Sequence, residues 1–550
     1  MVRQSQSGRQ TAAPTAGISL DADNGAPPAK PSATRPAALP KATQRLTVAK
    51  PKPTATAVPA KMAAPAKYLV LFVLDGAQPD YYDVPGIPHI KALMKNGADY
   101  SNGFAGILES ETPSGHAAIA SGSQPRADGI LSFAWANSDN TTVNLFDPKN
   151  IQNGQMERII GDAPASDIAE LVHRQDHKAK VVVLGGHKYY AQDALGGPSA
   201  DVIAYYTGTP QGTFAPIAVP GHVPPPGVLE APGLVAKSTH LPMGTEDTLV
   251  MRLVHVAVQK MQPRVLMVNV PEFDWPLGHV DGADRDPAGV RTLMQGFDRD
   301  LGALEDQYRR AGILNQTLFV LTSDHGFAPI YHTVDSKQIE KAATDTGTAI
   351  NSDTFHTAGY MWLQDHTKAA AAAENVAKLQ NPYIQSVYFK EPAAKGGYEY
   401  VRATGPDLFH VPAADSANQY LLHTFSGPNG PDVCVFFTEN TASLPGGESS
   451  WKGDHGGATW NSQHLRIIFS GPGVRPGTVS SRPAPLMDIA PTALTLMGIA
   501  PDGMQGVPLA DGMLNPTTAV STASQSQSSQ LQPVISALSA ESRAEIAAGR

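Results

Sequence analysis

Cysteine is nearly missing from this sequence: Cys434 stands alone in 550 residues. That excludes an intrachain disulfide and a thiolate-rich metal site, so any metal must be held by His and carboxylate. One thiol suits either a reducing compartment or an exported bacterial protein. No apolar stretch reaches the roughly 18–20 residues of a membrane helix, and the first thirty residues lack the apolar centre of a secretory signal. Aromatic residues are absent before Tyr68. Residues 1–67, built from Ala, Pro, Thr, Ser and Lys, cannot bury enough apolar surface to offset the entropy of ordering, and are expected to be disordered. This segment carries ten Lys and Arg against two Asp, or +8, which leaves −17 on the remainder of a chain of net charge −9. A solvated linker is the expected role, ahead of a nucleic-acid or lipid contact. After Leu509 the composition turns Ser/Gln/Thr-rich, and residues 511–550 are expected to be a peripheral low-complexity tail ending in a short helical pattern.

Order begins at YLVLFVLDG, residues 68–76, a continuous apolar run that reads as a central parallel strand with Asp75 at its carboxyl end. IPHIKALMKNG then has helical periodicity and stops at Gly97, KVVVLGG is a strand, and EDTLVMRLVHVAVQKM a helix. RVLMVNVPEFD is a strand running into carboxylates, GVRTLMQGFDRDLGALEDQYRRAG a long helix, and TLFVLTSDHG a further strand. VCVFFTE and HLRIIFSGPG are candidate strands, and MDIAPTALTLMG a last helix. Alternation of this kind predicts an α/β fold with a mostly parallel sheet sandwiched by helices, and ligands beyond the carboxyl ends of its strands. Residues of about 190–245 and 330–450, Pro/Gly-rich or weakly patterned, are expected as insertions or a cap over the site.

Polar residues gather at those strand ends. Asp75, Asp274 and the adjacent pair Asp324 and His325 each follow an apolar strand; His279 closes DWPLGH, and His455 lies in GDHGG. A lone Asp-Gly after a strand is usually a turn, but three carboxylates and three imidazoles without a thiol suit divalent ions such as Zn²⁺. Six ligands exceed the needs of one catalytic zinc and point to two. Upstream, TPSGHAAIASG places Thr112 before a run of small helix formers, where a plain N-cap is the bland reading and Ser110 and Ser114 are rival hydroxyls.

VLDG, TPSGH with Ser-Gly five residues on, DWPLGH, TSDHG, DHGG and DIAPTALTLMGI, in this order over about residues 68–510, resemble the alkaline phosphatase superfamily in its type I phosphodiesterase/nucleotide pyrophosphatase branch. The resemblance implies an alkaline-phosphatase-like catalytic domain with cap insertions, a metal-dependent hydrolase of small phosphoesters, and export to the periplasm or outside the cell, although no signal is visible. It assigns Asp75, Asp324, His325 and the Thr112 hydroxyl to one zinc, and Asp274, His279 and His455 to the other. Two Zn²⁺ with three carboxylates and one alkoxide sum to zero charge, so an anionic phosphate can enter. Thr112 becomes the nucleophile, at the start of a helix whose free N–H groups and positive end would face phosphate, and Pro113 suits the first turn. His116 and His187 are left as supporting residues.

The sequence departs from the family pattern at three places. Lys188 stands where some phosphomonoesterases keep a Lys, but Tyr190 replaces the Arg two residues on, which favours a monoanionic diester over a monoester; Lys188 as a snorkelling surface residue is the alternative. DWPLGH holds one residue more than usual between ligands, so the segment must bulge or Glu272 must share the metal. Phe133 stands near an Asn that meets phosphate in relatives, with Asn137 the substitute candidate. A phosphomonoesterase, a phosphoglycerate-mutase or phosphonate-hydrolase type, and a silent metal-binding module remain as alternatives, whereas the C/S-x-P-x-R context of a sulfatase is absent.

Overall fold

The computed structural model describes residues 64–404, 412–444 and 450–549. The expected segment 1–67 lies outside the described residues apart from its last four, of which Ala66 and Lys67 already donate backbone hydrogen bonds to Leu496 and Gln316. In chain order the elements that frame the site are β1 (Tyr68–Leu74), α1 (Pro88–Asn96), β2 (Ala98–Phe104), α2 (Thr112–Ser121), β3 (Val181–Gly185), α3 (Tyr189–Gly196), β4 (Val202–Gly208) and β5 (Phe214–Ala218). They continue with α4 (Thr245–Met261), β6 (Val265–Val270), α5 (Pro287–Arg310) and β7 (Thr317–Thr322). A second group follows: β8 (Ile350–Phe355), β9 (Ala358–Leu363), β10 (Ile384–Pro392), β11 (Tyr398–Arg402), α6 (Pro412–His423) and β12 (Val433–Phe437). The chain closes with β13 (His464–Ser470), β14 (Thr478–Ser480), α7 (Ile489–Leu496) and α8 (Thr518–Ala547).

Ten strands form the main sheet, in the order β14-β2-β13-β7-β1-β6-β3-β4-β5 with the short strand Ala484–Pro485 also on β2. The centre, β7-β1-β6-β3-β4, is parallel, while β13 and β5 run antiparallel to their neighbours. Strand β1 shows why its sequence is apolar throughout. Leu69, Leu71 and Val73 enter one core with α2, α3 and α7, and Val70, Phe72 and Leu74 enter the other with α1, α4 and α5. A strand covered on both faces has no polar phase. Register then levels the strand ends: Val73 lies opposite both Asn269 and Thr322, so Asp75 emerges beside Asp324 and the loop carrying Asp274.

Two expectations of organisation change. Residues 202–218, inside the expected first insertion, are β4 and the edge strand β5 of the main sheet; the tyrosines of β4 and the Pro of the short β5 blur their period. The 511–550 stretch is not peripheral: α8 lays Leu531, Val534, Ile535 and Leu538 against the core as a stripe at helical spacing, and composition averaged over Ser and Gln conceals four such residues. Residues 350–437 build a separate antiparallel sheet, β8-β9-β12-β10-β11, within the expected second insertion. Among the described residues no helix is long and apolar enough to cross a membrane.

Candidate metal centre

Two glycines allow the approach of the segments that carry the candidate ligands. Gly76 has φ +70°, a region L side chains avoid, and this turns the chain after Asp75 while its N–H donates to Asp324 Oδ1 at 3.1 Å. In α2 a Cβ on Gly115 would come within 2.4 Å of the Asp324 carbonyl, so the helix beginning at Thr112 sits directly on the loop carrying Asp324 and His325. Thr112 is the first residue of α2 and is not its N-cap. Glu111 takes that place, in a capping box where its N–H donates to Ser114 Oγ at 3.4 Å. Since Pro113 has no N–H and Gly115 donates to the Glu111 carbonyl, this terminus offers a phosphate fewer donors than the sequence suggests.

The sequence-predicted ligands converge in two sets. Asp274 Oδ1 is 3.3 Å from His279 Nε2 and 3.3 Å from His455 Nε2. His325 Nε2 is 3.5 Å from Asp75 Oδ1, 3.4 Å from Asp324 Oδ2 and 3.4 Å from Thr112 Oγ1. Four ligands placed tetrahedrally at about 2.0–2.1 Å from one ion stand roughly 3.3 Å from each other, which is close to the spacings of Asp274 from its two histidines and of His325 from its three neighbours. Asp274 with His279 and His455, and Asp75 with Asp274 and His325, each have ligand atoms close enough to hold one ion.

The tautomers agree with this. Each ring uses Nδ1 on a backbone carbonyl: His279 on Gly453 at 2.9 Å, His325 on Gly326 at 2.9 Å and His455 on Ser110 at 3.2 Å. A neutral imidazole that donates through Nδ1 turns the Nε2 lone pair to the carboxylates. Lone pair then faces lone pair, and Asp274 Oδ1 and Asp324 Oδ2, both buried, have no hydrogen-bond donor. A buried acceptor without a donor is costly, and a cation between these atoms removes the cost. The same field appears in the ionisation. Burial opposes a charged His325, but without a bound cation Asp324, Asp75 and Asp274 raise it to about 9, so a metal at Nε2 would displace a proton. Burial and then His325 push His455 down to about 4. Despite burial, Asp274 is held well below its ordinary range by Lys188 and His279.

Lys188 is no snorkelling surface residue. It is buried, and its Nζ donates to Asp75 Oδ1 at 2.8 Å, to Asp274 Oδ2 at 2.5 Å and to Thr112 Oγ1 at 3.3 Å. The rival hydroxyls are committed elsewhere: Ser110 Oγ donates to the Gly457 and Ser462 carbonyls, and Ser114 Oγ to those of Glu109 and Glu111. Glu272 does not join the cluster; its carboxylate accepts from the N–H groups of Gly244 and Asp247 at the start of α4. The extra residue of DWPLGH is absorbed in a wide helical turn, Phe273–Asp281, with Trp275 extended inside it. Asn137 stays apart: its amide donates to Thr141 and accepts from Trp135 within the hairpin of Ala134–Ala136 and Thr142–Asn144. His187 pairs with Glu246 at 3.0 Å.

Three supporting groups surround these ligands, and of them only His116, expected as a supporting residue, has a signal in the sequence. His116 Nδ1 donates to the Thr112 carbonyl at 2.8 Å and lies 3.2 Å from Asp324 Oδ2, while Asn269 Nδ2 reaches both His116 Nε2 at 3.1 Å and Asp75 Oδ2 at 2.7 Å. His356, from the turn between β8 and β9, stands between Asp454 at 3.1 Å and Glu111 at 3.3 Å. Burial opposes its charge, but Asp454 and Glu111 raise it to about 9. It therefore ties the second sheet to the residues preceding both the nucleophile candidate Thr112 and the candidate ligand His455. The Asp454 and Glu111 carboxylates lie in the DHGG motif and directly before TPSGH, whereas His356 belongs to no motif, and only the fold brings it to them.

A profile of the type I phosphodiesterase/nucleotide pyrophosphatase family matches residues 69–428. No curated protein matches the sequence. Among solved structures, human ectonucleotide pyrophosphatase/phosphodiesterase 5 is similar with a TM-score of 0.56 at 15% identity, over 82% of this chain and 100% of that one. A murine ectonucleotide pyrophosphatase/phosphodiesterase 5, described as inactive through a threonine-to-alanine change and in complex with AMP, gives 0.54 at 14% identity over 80% and 97%. The wild-type alkaline phosphatase PafA gives 0.62 at 15% identity over 83% and 100%. At such identities the likeness establishes the alkaline-phosphatase-like fold.

Proposed function

The chain belongs to the type I phosphodiesterase/nucleotide pyrophosphatase family, a family of phosphoester hydrolases, and from that premise we propose that it is a two-metal phosphodiesterase working through a phospho-threonine. One observation carries the reading: Thr112 Oγ1 lies 3.4 Å from His325 Nε2, at the edge of a set of buried carboxylate and imidazole atoms with metal-site spacing. Asp75, Asp324, His325 and Thr112 would hold one ion and Asp274, His279 and His455 the other, and the nitrogen and oxygen donors suit zinc. Bound there, two such cations lower the pKa of the Thr112 hydroxyl, neutralise the phosphate and stabilise the departing oxygen.

The chain's own residues do the rest. Lys188 Nζ, 3.3 Å from Thr112 Oγ1, donates to the alkoxide, and its positive charge beside the nucleophile attracts the anionic phosphoryl group. His116, bonded to the Thr112 carbonyl, and the Glu111 cap hold the threonine in line with phosphorus. The Oγ1–P bond forms as the bond from phosphorus to the leaving oxygen breaks; water then attacks the phospho-threonine, and the product leaves as a phosphomonoester with Thr112 regenerated. The murine relative described as bound to AMP and inactive after a threonine-to-alanine change supports this role for Thr112.

Lys188 beside the nucleophile also favours a second reading, a phosphomonoesterase, because an extra cation suits a dianion; the tyrosine at position 190, where an arginine would be needed, tips the choice toward the diester. With zinc supplied, release of p-nitrophenolate from bis-p-nitrophenyl phosphate is expected at a kcat/KM at least ten-fold above that from p-nitrophenyl phosphate. Thr112→Ala is expected to lower the rate by more than about 10³-fold with zinc content retained. Turnover that persists in this variant would move the nucleophile elsewhere, and a monoester preference would reverse the assignment.

A further inference from the structure

Phe327 follows the candidate ligand His325 by two residues and takes no part in the chemistry above. Its ring is buried, and the other three loops that carry candidate Asp or His ligands all close on it. A Cβ on Gly278, beside His279, would come within 2.5 Å of Phe327 Cζ, and one on Gly453, two residues before His455, within 2.6 Å of Cε1. On Gly76, beside Asp75, it would come within 3.0 Å of Cδ2. Bare backbone is therefore what fits against the ring, and segments far apart in sequence share one flat surface.

The imidazoles meet the same ring. Centroids of His279, His455 and His325 lie 5.0 Å, 5.5 Å and 6.3 Å from that of Phe327, and His325 and His455 stack on each other at 3.6 Å and 14°. Each imidazole is held at Nδ1 by one carbonyl, which leaves its tilt free, because the torsion that turns a His ring has broad minima. Phe327 removes that freedom. A phenyl ring carries no lone pair and no acidic proton, so it supports the imidazoles without competing for the Nε2 atoms that face the carboxylates. Its own place is set by the backbone: the Gly326 N–H donates to the Ser462 carbonyl at 2.9 Å, Gln78 Nε2 donates to the Phe327 carbonyl, and Ala328 and Pro329 pair with Asp454 and Gly453. With Asp80, Asp284 and Asn461, Phe327 also lines a cavity of about 190 Å³. A smaller side chain at this position enlarges that cavity toward the histidines and gives them room to turn.

We propose that Phe327 is a positioning residue of the metal centre, its ring holding His279, His455 and His325 at the tilt that ion binding requires, most firmly the first two, which lie nearest. The proposal rests on the two-metal reading. Loss of the ring then weakens one ion more than the other, namely the ion assigned to Asp274, His279 and His455. A general loss of stability would weaken both alike.

Cobalt(II) is the probe, since its visible absorption reports each ion held by nitrogen and oxygen ligands. Metal-free wild type is expected to bind two equivalents. In Phe327→Ala one equivalent is expected to keep its affinity within about three-fold and the other to weaken by about ten-fold or more, with an altered absorption band. In the zinc-loaded variant kcat on bis-p-nitrophenyl phosphate is expected to fall about ten-fold with KM nearly unchanged. Phe327→Met, which refills the space with a flexible side chain, is expected to recover much of the lost affinity. Two equivalents bound by Phe327→Ala with wild-type affinity, or both weakened to the same degree, overturn the proposal and leave the two-metal reading standing. Should Phe327→Ala not fold, Phe327→Leu is judged by the same measure, and failure of both to fold assigns the ring to the core and overturns the proposal. A wild type that binds fewer than two equivalents overturns the two-metal reading and the proposal with it.

Discussion

His356 is the residue whose loss is most informative. It separates two buried carboxylates, Glu111 and Asp454, each of which adjoins a residue of the proposed chemistry. His356→Ala leaves both without their cation, and breaking a buried pair in this way costs about 3–5 kcal/mol. A lower melting temperature and a fall in kcat of ten-fold or more are expected, with KM nearly unchanged, since the imidazole is placed to position Thr112 and His455. His356→Gln can donate to one acceptor only and is expected to recover part of the stability. Thermal melts beside steady-state kinetics check this, and a variant with unaltered kcat would confine His356 to packing. At this scale the sequence was legible wherever an Asp or His ends an apolar strand, as Asp75 and Asp324 do, and illegible wherever the partner arrives from another segment, as His356 and Asn269 do.

Among the elements, α7 and α8 meet through one buried acid. Asp488, at the start of α7, accepts from the Val507 N–H at 2.8 Å and from Gln527 Nε2 of α8 at 3.0 Å, and its Oδ2 has no donor. Burial raises it to about 7. A carboxyl whose folded pKa lies above its unfolded value stabilises the fold fully below about pH 4, and this contribution is lost as pH rises through about 7. Asp488→Asn keeps the accepting oxygen and never ionises. Its melting temperature is therefore expected to exceed that of the wild type by about 2–4 °C at pH 8, where a few kcal/mol of ionisation penalty is removed, and the gap should shrink toward pH 5. A gap that widens on acidification would contradict the assignment. Removing α8 beyond residue 515 uncovers Phe104 and the partly buried Tyr420 and Trp460 that pack on Leu531 and Ile535; loss of soluble, cooperatively melting protein is expected. Helix α2 was legible because TPSGHAAIAS joins a Pro in the first turn to small helix formers, but its cap was not, since Glu is an uncommon N-cap and gains the position from its contacts in the fold.

Across the whole molecule the candidate ligands span positions 75 to 455, and three carboxylates meet in one buried volume. Lys188 already offsets part of their repulsion, and a bound metal would offset more, so metal binding and stability are linked. Stripping with a chelator is expected to lower the melting temperature by 5 °C or more, with recovery on addition of two equivalents of zinc; Asp274→Asn should blunt that recovery. A melt indifferent to chelation would argue against resident metal. The sequence by itself determined the parallel centre of the sheet, because strands covered on both faces must be continuously apolar, and it supplied the candidate ligands, because Asp75, Asp274 and Asp324 follow such strands and the resemblance adds the histidines. The tertiary structure alone decided that Lys188 turns inward, that Asn137 stays in its hairpin, that β4 and β5 extend the main sheet, and that α8 packs as a buried helix. Those outcomes depend on contacts between distant segments, which local periodicity does not encode and only the closing of the chain creates.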